Sequence, residues 1–126
     1  MREFARLLDA LAFQPARNGK LALLVEYFST APDPDRGYTL AALAGTLDLP
    51  TAKPKLIREL VAERVDPELF RMSYDYVGDL AETAALIWPE PDTAEPPAEP
   101  PGMTDVVTRL NSAGRTETPA IIAGWL

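Results

Sequence analysis

The chain has 126 residues and a near-average balance of 47% hydrophobic and 25% charged side chains, and it carries no cysteine and no histidine. Its length allows one domain, or one domain with a tail, with enough surface to bury a real core. The composition excludes disulfides and thiolate or imidazole metal sites, and no apolar run is long enough to span a membrane. The N-terminus Met1-Arg2-Glu3-Phe4 has an acid early and no unbroken apolar stretch, unlike a signal peptide. A cytoplasmic, metal-free chain is therefore expected.

The formal charge is −7, from 12 basic and 19 acidic residues. Its distribution is uneven: residues 89–102 hold four acids and no base. The remainder is only mildly acidic and can still present a basic face.

In chain order, helical spacing begins with Phe4, Leu7, Leu8 and Leu11 and continues with Leu21, Leu24, Val25 and Phe28. Leu40, Leu43 and Leu47 mark a third helix, stopped by Asp48-Leu49-Pro50. Leu56, Ile57, Leu60, Val61 and Val65 mark a fourth. Asp66-Pro67 supplies an N-cap with proline at the first helical position, and Leu69, Phe70, Tyr74 and Val77 follow. Gly78 ends that helix and Asp79 caps the next, with Glu82 completing a capping-box pattern before Ala84, Ile87 and Trp88.

Residues 89–102 contain six of the thirteen prolines. Proline lacks the amide donor and fixes φ, so this stretch reads as an extended acidic linker. Its short proline spacing also allows a docking-motif reading. Beyond it, Met103, Val106, Val107 and Leu110 mark one helix, and Ile121, Ile122, Trp125 and Leu126 another that starts at Thr118-Pro119. The expected fold is all-α: a compact bundle or array of about eight short helices. Residues 1–88 form a six-helix core, 89–102 a linker, and 103–126 two further helices. An apolar helix ending on Trp125-Leu126 is marginal alone. The parent polypeptide is therefore expected to continue, and the exposed end to invite docking on residues 103–113 or self-association.

No phosphate loop, nucleophile elbow or histidine-based arrangement is present, so no catalytic residue is assigned. Carboxylates such as Glu59 and Glu63 suit a solvated helix face. Binding is the better candidate. Arg17 and Lys20 flank the start of the second helix, and Lys53 and Lys55 the start of the fourth. Bases there oppose the helix dipole, an arrangement that an anion such as a DNA phosphate would reverse. Gly78 lets a foreign backbone come close.

Three stretches, Arg17-Asn18-Gly19-Lys20-Leu21, Lys53-Pro54-Lys55-Leu56-Ile57-Arg58 and Tyr76-Val77-Gly78-Asp79-Leu80-Ala81-Glu82-Thr83, occur in this order. Together they resemble the helical N-terminal DNA-binding domain of bacterial ATP-dependent DNA ligases. The resemblance implies a module that grips nicked duplex DNA through minor-groove backbone contacts. It would serve nick sealing in replication, repair and recombination. Carried over position by position, Arg17, Asn18, Lys20, Lys53, Lys55 and Gly78 become candidate phosphate contacts. The family's adenylated lysine lies in Lys-x-Asp-Gly, which this chain lacks. No ligase activity is thus expected of the chain itself, and ATP and magnesium would belong to the catalytic domain of the parent. The competing reading is a helical-hairpin adaptor that binds protein and not DNA, although the helical pairs show no repeated pattern.

Overall fold

A computed structural model describes residues 1–90 and 99–126. Among them all regular structure is helical, as the periodicity requires: α1 (Arg2–Phe13), α2 (Arg17–Thr30), α3 (Asp35–Leu43), α4 (Pro54–Ala62), α5 (Pro67–Val77), α6 (Leu80–Ile87), α7 (Met103–Ser112) and α8 (Thr118–Ala123). These residues fall into two units. The first is Met1–Asp48 with Glu99–Arg109; the second is formed by the described residues of Leu49–Ala98 together with Leu110–Leu126. This division does not follow the three compositional segments, and most of the acidic proline-rich stretch, residues 91–98, lies outside the described residues.

In the first unit α1 packs on α2, and Leu7, Ala31, Met103 and Val107 are buried. Asp35 accepts from both the Thr104 backbone N–H, at 3.1 Å, and the Thr104 hydroxyl, which ties α3 to α7. Residues 99–102 belong to this unit, where the Met1 ammonium donates to the Pro101 carbonyl at 2.9 Å.

On α1 Leu8 is exposed although it falls on the expected apolar stripe, and two further helices of this unit depart from their expected form. The third begins and ends earlier than Leu40, Leu43 and Leu47 imply. Gly45 takes φ 71°, the Gly45 N–H bonds to the Ala42 carbonyl, and the Thr46 N–H bonds to the Ala41 carbonyl. This left-handed closure stops α3 well before Pro50. On α2, Leu21 and Val25 are exposed, while Leu23, Leu24, Tyr27 and Phe28 are half-buried. From Leu21 to Phe28 only Glu26 is charged, so apolar spacing alone could not choose the buried face of that run. Tyr27 helps fix that face through a 2.8 Å hydrogen bond to the fully buried Thr39 hydroxyl.

The helix boundaries of the second unit follow their sequence signals, although Leu69, expected on the apolar stripe of α5, is 52% exposed. Asp66 caps α5, accepting from the Glu68 and Leu69 amides at 3.0 Å each. Asp79 caps α6 by accepting from the Glu82 amide at 2.8 Å. Between them Gly78 takes φ 79° and its amide bonds to the Tyr74 carbonyl. Leu60, Val61, Ala84, Leu110 and Ile122 form the core, and α4 packs on α5, α6 and α8. The buried hydroxyls of Thr83 and Thr118 bond to the carbonyls of Asp79 and Gly114, four residues back, so neither is left unsatisfied.

Candidate nucleic-acid interface

Arg17, Asn18 and Lys20 occupy the first turn of α2, all exposed, in the first unit. The helix starts after Ala16, whose extended backbone carries no side-chain cap, and its first turn holds no acid. Arg17 and Lys20 make no ion pair among the described residues. Gln14 bends back so that its carboxamide oxygen accepts from the Ala16 amide at 3.1 Å. Gly19 is what makes room: a Cβ there would lie 2.4 Å from the Gln14 side chain. This contact was not legible from the motif, which shows only a glycine between two polar residues.

Lys53, Lys55 and Gly78 lie in the second unit. Lys53 is the N-cap position of α4, extended at φ −86° and ψ 157°, with Pro54 and Lys55 behind it. Again there is neither a side-chain cap nor an acid in the first turn. Lys55 is exposed and faces Glu59 at 3.6 Å, one helical turn on.

Two cation–π contacts define how this unit is arranged. The Arg58 guanidinium sits 5.8 Å from the Tyr74 ring centroid, and that of Arg64 sits 5.0 Å from the Trp88 centroid. The second contact joins the C-terminal ends of α4 and α6. The amide of Gly78 itself is already spent on Tyr74.

Of the helices with eight or more residues, α1, α3, α5, α6 and α7 each carry an acid in the first turn, and α2 and α4 do not. A partial positive charge persists at every helix start. At these two it is supplemented by two basic side chains each, which suits an anion.

The first unit also holds a cleft of about 690 Å³, with Phe4, Leu7, Leu23, Tyr27, Pro100 and Met103 among its lining. Its charged lining sets Arg2 and Arg6 against four acids, Glu3, Glu26, Asp35 and Glu99. Among the described residues no cluster of acidic side chains is arranged to hold a metal ion, and no helix is long and apolar enough to cross a membrane. No family model, curated protein or solved structure matches this chain.

Proposed function

We propose that this chain is a DNA-binding module that grips duplex DNA around a nick through backbone phosphates, in the manner of the N-terminal domain of an ATP-dependent DNA ligase. The observation that supports this reading is the pair of helix starts lacking acids and carrying Arg17 with Lys20 and Lys53 with Lys55. Exposed amides and basic side chains at one helix end form a compact phosphate site that reads no base identity. The catalytic domain of the parent ligase, with ATP and magnesium, would perform nucleotidyl transfer and sealing. No residue of this chain is assigned to that chemistry, because no lysine is followed by the Asp-Gly pattern it needs.

Fluorescence anisotropy with a nicked duplex at low salt tests the proposal. The acidic net charge limits steering, so binding is expected in the non-specific range, with Kd about 10⁻⁴ to 10⁻⁶ M and a steep decline with salt. Lys53→Ala with Lys55→Ala should weaken binding about equally for all sequences. Absence of binding near ~20 mM salt, where surface electrostatics are little screened, overturns the reading.

A further inference from the structure

Tyr76 is 92% exposed, although two residues earlier on the same helix Tyr74 is half-buried and carries the Arg58 contact. It is not alone. Leu69 and Met72 of α5 are 52% and 58% exposed. At about 100° per residue these three side chains share one stripe roughly 60° wide. Phe70, Ser73, Tyr74 and Val77, all half-buried, occupy the packed side of the helix.

The stripe has a charged border on its other flank. Glu68 and Asp75 lie next to it, and Arg71 falls a further ~50° round the helix. Arg71 bonds to both carboxylates, at 2.6 Å to Glu68 and 3.1 Å to Asp75. The Glu68 hydrogen bond, and then Asp75, hold its guanidinium above the ordinary arginine value, and the two contacts turn it toward the acids. The border thus presents two carboxylates and one cation, with the carboxylates nearest the apolar stripe.

We infer that this face of α5 is a docking surface for a basic amphipathic helix of a partner protein. Positions i, i+3 and i+7 give the ridge against which a second helix packs its own apolar stripe. Methionine adapts its shape to a partner, and tyrosine offers a large rigid ring with a polar tip, the residue type that most often anchors interfaces. With two carboxylates against the one arginine they share, the border keeps a net negative charge that favours lysine or arginine beside the partner's apolar residues over an acidic helix. This inference stands apart from the DNA reading, since it uses neither Lys53 nor Lys55.

The test is titration of the full chain into a fluorescein-labelled synthetic helix of about 18 residues, long enough to be partly helical, with leucines at this spacing and lysines flanking them. A Kd of about 10–100 μM is expected. Met72→Asp and Tyr76→Ser should each weaken binding about tenfold. A peptide with glutamates in place of the lysines should bind about tenfold more weakly at low salt, and the gap should close as salt rises. Circular dichroism of each variant confirms that it is folded. The Lys53/Lys55 variant should bind the peptide as wild type does while binding DNA more weakly.

Failure of wild type to bind, equal binding of a peptide with shuffled leucines, or folded Met72 and Tyr76 variants that bind as wild type does would each overturn the inference. So would a concentration-dependent dimer abolished by Tyr76→Ser, because a second copy would then be what covers the stripe.

Discussion

The Arg64 guanidinium lies over the Trp88 ring, 5.0 Å from its centroid, while the same side chain donates at 2.9 Å to the Leu60 carbonyl. One residue therefore satisfies a carbonyl near the end of α4 and joins that end to the end of α6. Arg64→Ala is expected to cost about 1–2 kcal/mol, combining the aromatic contact with the lost hydrogen bond. Arg64→Lys should recover only part, because a point charge replaces a planar group. Urea denaturation measures both, and an Arg64→Ala chain as stable as wild type would show that the contact holds nothing.

The Tyr27 and Thr39 hydroxyls are 2.8 Å apart across 12 residues of sequence, with Thr39 fully buried. Tyr27→Phe should cost about 1 kcal/mol, and Thr39→Val about 1–2 kcal/mol because it strips the phenol of its partner. Removing both should cost less than the sum of the two by about 1 kcal/mol, the coupling expected of a direct hydrogen bond. Strict additivity in the cycle would mean that the orientation of α2 is set by its apolar neighbours alone.

Gly78 has open space around its Cβ position and a φ of 79°. Gly78→Ala therefore meets no neighbour, and its expected cost, about 1 kcal/mol, is backbone strain alone. Gly78→Asn should cost less, since asparagine enters the left-handed region more readily. Thermal unfolding of the two variants gives the order directly; an alanine variant more stable than the asparagine one contradicts it.

The elements that were legible in the sequence are those whose chemistry is local. Asp66-Pro67 and Gly78-Asp79 place their caps within a few residues of the amides they satisfy, so the boundaries of α5 and α6 follow from spelling alone. The end of α3 was present too, in Ala44-Gly45, but the spacing of Leu40, Leu43 and Leu47 competes with it. A left-handed glycine that closes two hydrogen bonds outweighs one more apolar residue. The face of α2 was not legible, because Leu21 and Val25 are as apolar as Leu23 and Leu24. The bases at the starts of α2 and α4 could be read directly, whereas the fold of Gln14 over Gly19 depends on side-chain placement that spacing does not encode.

Lys55 and Glu59 stand 3.6 Å apart on the exposed face of α4, and a phosphate arriving at Lys55 must compete with that carboxylate. The pair contributes little to stability, since both side chains are solvated. Its effect on an incoming anion is larger, because Glu59 also repels phosphate. Glu59→Gln should therefore leave unfolding within about 0.5 kcal/mol of wild type and raise affinity for nicked duplex about two- to fivefold at low salt. The Lys53/Lys55 double alanine variant should act in the opposite sense, lowering the salt slope by about 1.8 log units per log unit of salt if both lysines contact phosphate. Arg17→Ala with Lys20→Ala should lower it by about the same amount, since these two are likewise single charges at one helix start. Anisotropy titrations from low to moderate salt report all three variants together. A Glu59→Gln chain that binds no better than wild type, with an unchanged slope in the Lys53/Lys55 variant, would remove the start of α4 from the DNA surface and leave α2 to carry it.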